Sequence, residues 1–461
     1  MTKRSSFIGW KEEWRGDRRH ISQMRVASSR NEFQPTESAA PKSDKEIVPE
    51  ASTKFRQGFH GVIQLFFERS LGFLEVTDNL VLAYGIIQSH EVEKLLEKYV
   101  EPSSLSGAER IENWNVVELP PDVAPRTGRR LKSMARRLSH LPMMESTFIM
   151  GLVSQYDSFI GQIIREVALV KPHIVFGSDK KFSASEVFRF ESLEDFQEGV
   201  LQKEIEVVLR QNHEEQIKWL ESALSIRFNE DGERFNQFLE IFERRNIYAH
   251  SDGRVSETYR KNLKKWGVEC TQEVGEKIDL GRDYLRASAV LLLEFGVKLG
   301  NLAWRKAHKT DEEHAQADQQ LSDFGFDLIY HGFPEVAARI LESGFRDGVR
   351  HPNREVLLMM RINLANAYKL SGDMNKAEAE LAKEDWRPIQ PHFQLCAAAV
   401  REDIDEVRAL IDQVPSSKIK PIDYVDWPVF SGILKNPSYS ELLREKFGDE
   451  TFSLLYQSSD F

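Results

Sequence analysis

The chain has 461 residues, which is more than one hydrophobic core usually holds, so two or three domains are expected. Its composition, 41% hydrophobic and 29% charged, is that of a folded globular protein and excludes a disordered or fibrous chain. Residues 311–461 contain 16 Lys and Arg against 27 Asp and Glu, which accounts for the whole net charge of −11. Contacts with nucleic-acid phosphates are therefore expected in the first two-thirds of the chain.

Cysteine usage and hydropathy predict a cytoplasmic protein without a membrane segment. The only two cysteines, Cys270 and Cys396, exclude a disulfide framework and a cysteine-based metal site. Residues 1–29 have no apolar core between their charges and do not resemble a signal peptide. The most apolar stretch, 287–299, is interrupted by charges and is too short to cross a bilayer.

The N-terminal third predicts an arm followed by a helical region. Residues 1–54 mix charges with Ser, Pro, Thr and Ala without a sustained period, which predicts a disordered arm. Residues 55–142 begin with helical periodicity and predict an N-terminal helical region. Its basic segment, 126–137, has six basic residues and no acidic one, and Arg129 and Arg130 are candidate RNA contacts. A solvated helix face is the alternative interpretation of this segment.

The rest of the chain predicts an all-α fold in two parts. Residues 143–306 keep helical spacing without useful strand-like alternation, which predicts a helical bundle. In the bundle, Ser183 followed by Glu186 predicts a capping box. Residues 312–461 predict paired short helices; the spacing around Gly372 matches a tetratricopeptide repeat, and the stretch around Tyr330 is a weaker copy. Such pairs stack on one another and leave a groove for a protein partner.

One stretch, from Phe235 to Gly253, combines a helical pattern with residue types that do not belong in it. Its apolar stripe is formed by Phe235, Phe238, Leu239 and Phe242. At about 100° per residue, the stripe continues to Arg245, Asn246, Ala249 and His250. Gly253 is suited to end the helix, because glycine readily adopts the left-handed conformation that follows a helix. Polar groups on a buried stripe are costly unless they are paired or face a site, so function is expected at this end of the helix.

The string from Arg245 to His250, Arg-Asn-Ile-Tyr-Ala-His, resembles the Arg, polar residue, three residues, His signature of HEPN-domain ribonucleases. The turn and basic helix that follow, with Arg254, Arg260 and Lys261 as tentative RNA contacts, also resemble bacterial members of that family. The resemblance covers roughly residues 143–305. It implies a HEPN-like bundle and RNA cleavage without metal or cofactor, at a cleft formed by two copies of the motif in a homodimer. It also suggests a toxin–antitoxin or antiviral defence setting.

Helical phase helps to choose among the residues of this motif. Arg245 lies about 70° from the centre of the stripe, whereas Arg244 lies about 170° away and is expected to face solvent. Arg245 and His250 are about 140° apart around the axis, so one copy would hold a phosphate poorly and two symmetric copies would surround it better. Asp157, on a facing helix, is a candidate supporting carboxylate; a solvated Asp is the alternative.

The residue types suit metal-independent cleavage. A base must take the proton of the 2′-hydroxyl, and a cation must hold the phosphate while charge develops on it. His250 has a side chain with a nearly neutral pKa, and the negative end of a helix dipole favours its protonated form. His250 is therefore suited to act as an acid or as a base. Arg245 offers a planar fork to two phosphate oxygens, and Asn246 could orient His250 or a neighbouring carbonyl.

Two function classes follow from the sequence. The leading hypothesis is a cytoplasmic endoribonuclease that acts on RNA as a homodimer and whose C-terminal repeats bind a protein partner or regulator. The alternative is a non-catalytic helical adaptor that binds a protein partner through its C-terminal repeats. A separate interpretation of the motif is that Arg245 and His250 form a structural pair that satisfies helix-end carbonyls, without catalysis. Nucleotide hydrolases, zinc peptidases and serine hydrolases are not supported, because their motifs do not occur in the sequence.

Overall fold

The computed structural model describes residues 7–15, 18–27, 58–77, 109–111, 114–116, 141–175, 181–228, 232–346 and 348–457. Helices dominate these ranges, which confirms the predicted all-α fold class. The strands within them pair in two separate antiparallel hairpins.

The first hairpin corrects the prediction of a disordered arm over residues 1–54. Strands β1 (Phe7–Arg15) and β2 (Arg18–Ala27) pair antiparallel and belong to a unit of their own, residues 1–55. The sequence carried a signal for this hairpin, because two stretches with aromatic and β-branched residues are separated by the dipeptide Gly16-Asp17. The high charge of the segment concealed that signal. The rest of the predicted arm lies outside the described residues.

The second hairpin lies in the region that was expected to be helical. Strands β3 (Glu109–Ile111) and β4 (Trp114–Val116) pair antiparallel. The basic segment 126–137, with Arg129 and Arg130, lies outside the described residues, and so do residues 78–108 of the predicted helical region.

The bundle contains eight helices among the described residues. They are α1 (58–77), α2 (Leu141–Val170), α3 (Ala184–Val187), α4 (Leu193–Leu209), α5 (His213–Leu224), α6 (Gly232–Ser251), α7 (Glu257–Trp266) and α8 (Arg282–Ala307). The predicted capping box is confirmed at the start of α3, where the Ser183 hydroxyl accepts from the Glu186 N–H and the Glu186 carboxylate accepts from the Ser183 N–H.

Helix α8 is the central helix of this bundle, and α1 packs directly on it. A Cβ placed on Gly296 of α8 would lie 2.2 Å from the ring of Phe66, so only glycine permits this approach. The Phe66 ring also stacks on Phe159 of α2 at 4.1 Å between centroids. Helix α1 therefore belongs to the bundle core, and the predicted boundary at residues 142 and 143 does not separate two cores. The apolar stretch 287–299 was expected to be too short to cross a bilayer, but α8 extends it to 26 residues and is long and apolar enough to do so. Its apolar window is 83% buried, as in a core helix.

Three helical hairpins follow the bundle, which confirms the predicted paired helices. Their members are α9 (Asp311–Tyr330) with α10 (Pro334–Gly344), α11 (Arg354–Leu370) with α12 (Met374–Leu381), and α13 (Pro391–Arg401) with α14 (Ile404–Ile411). A 3-10 turn at Pro428–Phe430 and the helices α15 (Asp423–Asp426), α16 (Pro437–Phe447) and α17 (Asp449–Gln457) complete the chain.

The three hairpins share one turn geometry. In each, the N–H after the turn donates to the carbonyl five residues earlier: Phe333 to Leu328, Asp373 to Tyr368 and Asp403 to Ala398. Gly332 and Gly372 occupy the turns at φ +80° and +85°, as expected for Gly372. These glycines are 40 residues apart, so Leu328 in the first hairpin occupies the position that Tyr368 has in the second. The sequence comparison had instead aligned Tyr330 with Tyr368, 38 residues later.

The predicted boundary between residues 306 and 312 does not separate two cores either. Glu294 of α8 is fully buried and binds Lys298, Arg234 of α6 and Arg339 of α10, so one carboxylate joins the bundle to the first hairpin. The change from one core cluster to the next runs along α11, whose Met360 faces the first cluster and whose Ile362 faces the second. The cores are continuous because a helical hairpin buries its apolar face only by stacking on its neighbour.

Candidate functional site

Helix α6 ends in a tight turn beside a small third core. The turn residues Asp252 and Gly253 have φ +49° and +75°, which confirms Gly253 as the stop. The third core contains Ile247, together with Val255 from the turn before α7, Tyr259 and Leu263 from α7 and Ile278 from the segment that follows it. The Tyr248 hydroxyl donates to the Ile278 carbonyl at 2.5 Å, and burial, the largest cause, raises the pKa of Tyr248 to about 12.

This third core changes which face of α6 is buried at its end. The stripe was expected to continue to Ala249 and His250, and that expectation is wrong, because both residues are exposed and Ile247 is buried. The helical period is unchanged. Helix α7 covers a different face of α6 from the one that faces the main core.

Arg244 was expected to face solvent, and this expectation is also wrong. Its Nε donates to the buried carboxylate of Glu240 at 2.7 Å, and its guanidinium lies 3.8 Å from the centroid of the Tyr284 ring. The same carboxylate accepts from the hydroxyls of Tyr259 at 2.5 Å and Tyr284 at 2.7 Å. Burial, followed by the charge of Glu240, raises the pKa values of both tyrosines. Arg244 is thus part of a closed buried network.

Arg245 points to the other side of α6, toward α2. Its Nη2 donates to Asp157 Oδ2 at 3.3 Å, so the facing carboxylate singled out by the sequence does meet this arginine. The other oxygen, Asp157 Oδ1, is 2.7 Å from His213 Nε2. The Arg245 side chain is 22% exposed, its Nε is buried without a hydrogen-bond partner, and the Asp157 bond is the one it makes with a described residue. A guanidinium has five N–H donors, so most donors of Arg245 have no hydrogen-bond partner among the described residues, and Nε is the one that is buried.

His213 is the residue of this cluster that sequence reasoning missed. It is the first residue of α5, whose cap is visible in the sequence, since Asn212 accepts from the Glu215 N–H three residues later. Its ring stacks on Phe242 of α6 at 3.5 Å between centroids and 10° between planes. The neighbouring Tyr156 is fully buried, and its hydroxyl has no hydrogen-bond partner among the described residues. Burial, with a smaller effect of Asp157, raises the pKa of Tyr156. No sequence pattern places His213 beside Asp157.

His250 and Asn246 are not drawn into this cluster. His250 is exposed in the last turn of α6, and Asn246 is half-buried. Neither side chain makes a hydrogen bond with the residues that the structure describes. In a single chain, Arg245 is therefore held against α2, and His250 stands exposed at the helix end.

The tentative RNA contacts after α6 are mostly engaged elsewhere. Arg254 donates to the Gly275 carbonyl at 2.9 Å, and Arg260 pairs with Glu273. Lys261 is exposed and has no ion pair within the described ranges. It lines a shallow depression of about 610 Å³ together with Lys264 and residues of both charge signs. Arg129 and Arg130 cannot be placed, because they lie outside the described residues.

Comparisons with known proteins found no match for this chain. No protein-family model matches it, and neither the curated proteins nor the solved structures contain a significantly similar one.

Proposed function

We propose that this protein is a metal-independent endoribonuclease that cleaves RNA at a site shared between two copies of the chain. The observation that carries the proposal is that α6 holds two polar groups with few or no partners, the guanidinium of Arg245 and the exposed imidazole of His250. Arg245 is held by one carboxylate and keeps most of its donors, and His250 lies five residues later at the end of the same helix. A cation to bind a phosphate and an imidazole to move a proton are the two groups that this reaction needs.

Each residue has a defined role in the proposed site. Arg245 donates to the phosphate oxygens of the RNA backbone, and Asp157 keeps the guanidinium on the face of α2. His250 moves a proton at the 2′-hydroxyl or at the leaving oxygen, and Asn246 lies one turn before it. Because the two key residues are about 140° apart on one helix, the proposal requires the Arg245 and His250 of a second copy. The cytoplasmic setting and the toxin or antiviral role belong to the same proposal.

The test uses purified wild type and His250→Ala, each incubated with total RNA in EDTA. We expect wild type to cleave RNA and His250→Ala to be slower by at least about 100-fold. His173→Ala is the matched control, because His173 is also exposed but lies on the 3-10 turn after α2. Equal cleavage by wild type and His250→Ala, or none by wild type, would contradict the proposal. Light scattering at micromolar concentration tests the shared site, which a monomer would exclude.

The adaptor hypothesis has one observation in its favour. The turn edge of the first two hairpins exposes the large apolar side chains of Tyr330, Leu370 and Met374, and Tyr330 and Leu370 occupy equivalent positions before the turn glycines. An adaptor is expected to keep its protein partner when Arg245 or His250 is replaced by Ala. Tyr368 is not suited to such a test, because its hydroxyl donates to Glu342 of α10 at 2.5 Å and supports the fold.

A further inference from the structure

A cavity of about 310 Å³ lies in the repeat part of the chain, within the second core cluster. It is lined by side chains of α9, α11 and α13 and of the segment before α16. Most of them are apolar or aromatic, and they include Phe326, Met359, Phe393, Cys396 and Trp427. This volume is at the lower end of the range of about 300–1,000 Å³ that small-molecule sites occupy in proteins.

One buried polar side chain in the wall of this cavity has an unmet hydrogen-bonding group. Asn366 of α11 is only 2% exposed, and its Oδ1 has no hydrogen-bond partner among the described residues. Its polar neighbours on the same helix are satisfied: the Asn363 amide donates to the Ser322 carbonyl at 3.3 Å, and Lys369 donates to the Ala399 carbonyl. A buried acceptor without a partner is destabilising, so its presence in the wall of a cavity points to a ligand.

The charges around the cavity do not favour a ligand of one sign. The carboxyl groups of Asp323 and Glu355 and the ammonium of Lys418 contribute to its lining. His392 also lines it, and burial, followed by the charge of Lys418, lowers the pKa of this imidazole and keeps it neutral at pH 7. Burial raises the pKa of the Asp323 carboxyl group.

We propose that this cavity binds a small uncharged molecule with an apolar body and one amide or hydroxyl group that pairs with Asn366. An amide suits the site in particular, because it presents a donor and an acceptor and can pair with either end of the asparagine side chain. The ligand would contact α11, the helix that contributes to both core clusters, and binding would stabilise the junction between them. The proposal does not depend on the ribonuclease activity.

The test uses two probes that differ in the polar group. 2-Phenylacetamide carries an aromatic ring and an amide, and ethylbenzene carries the ring alone. Ligands of this size reach dissociation constants of about 1–10 mM, which saturation-transfer NMR with the full-length protein detects. We expect both probes to bind to wild type and the amide to bind more tightly.

Two variants locate the binding. Asn366→Leu keeps the volume and removes the polar group, so it is expected to weaken 2-phenylacetamide about tenfold and to leave ethylbenzene unchanged. Met359→Trp, at a half-buried lining position, fills the cavity and is expected to abolish the binding of both probes. Cooperative thermal unfolding confirms that each variant is folded. The proposal is overturned if neither probe binds to wild type, if Met359→Trp binds both as wild type does, or if a folded Asn366→Leu binds the amide unchanged.

Discussion

Two adjacent arginines at the end of α6 have opposite environments. Arg244 binds the buried carboxylate of Glu240 and lies over the Tyr284 ring, in a network where each carboxylate oxygen accepts from a neighbour. Among the described residues, Arg245 bonds only to the half-exposed Asp157, at 3.3 Å. The difference arises from what packs on the two sides, because α7 and α8 supply hydroxyls and a ring, whereas α2 supplies a single carboxylate. A charge that is surrounded by partners stabilises the fold, and one with unused donors is available to a ligand.

The largest expected effect is a loss of stability in the buried network around Arg244. Glu240→Ala removes the acceptor of Arg244, Tyr259 and Tyr284 and leaves a buried guanidinium without its carboxylate. We expect the free energy of unfolding to fall by about 3–5 kcal/mol, measured by urea denaturation. Glu243→Ala on the same helix is the control, because Glu243 is half-buried and makes no ion pair among the described residues; its effect should stay within about 0.5 kcal/mol. Equal effects of the two substitutions would show that the network does not stabilise the helix end.

The next effect concerns Arg245 and the rate of RNA cleavage. If Arg245 holds the phosphate, Arg245→Ala should slow RNA cleavage by about 10²–10³-fold. The same substitution should lower the free energy of unfolding by no more than about 1 kcal/mol, because the Asp157 pair is partly exposed. A cleavage assay and urea denaturation on the same preparation separate the two quantities. A large loss of stability with unchanged cleavage would instead mean that Arg245 supports the fold through Asp157 and takes no part in cleavage.

The smallest effect concerns Gly253, in the turn that connects α6 to α7. In Gly253→Ala the new Cβ would lie 2.7 Å from the Tyr248 ring, at a φ of +75°. Gly267→Ala is the matched control, because Gly267 has a φ of +69° but its new Cβ would meet no neighbouring atom within 4 Å. Both substitutions carry the backbone cost of the left-handed region, and Gly253→Ala should cost about 1–3 kcal/mol more by overpacking. Similar melting temperatures for the two variants would mean that Tyr248 moves aside without cost.

Local signals in the sequence were sufficient for the helical part of the fold. The stop at Gly253, the capping box at Ser183 and the turn at Gly372 depend on residues within a few positions of each other, and the structure has them as predicted. The local hairpin signal around Gly16-Asp17 was equally available but was concealed by charge. The motif from Arg245 to His250 is also local, and its function remains a proposal.

Tertiary contacts decided what each helix face meets. Helical phase correctly put Arg245 and Arg244 on different sides of α6, but it could not show that α7 and α8 cover the side of Arg244. The contact between His213 and Asp157 joins residues 56 positions apart, and the change of core along α11 depends on how hairpins stack. The sequence by itself determined the helices, because their hydrogen bonds are local. Which faces are buried, and hence which arginine remains available, was decided by packing between distant segments.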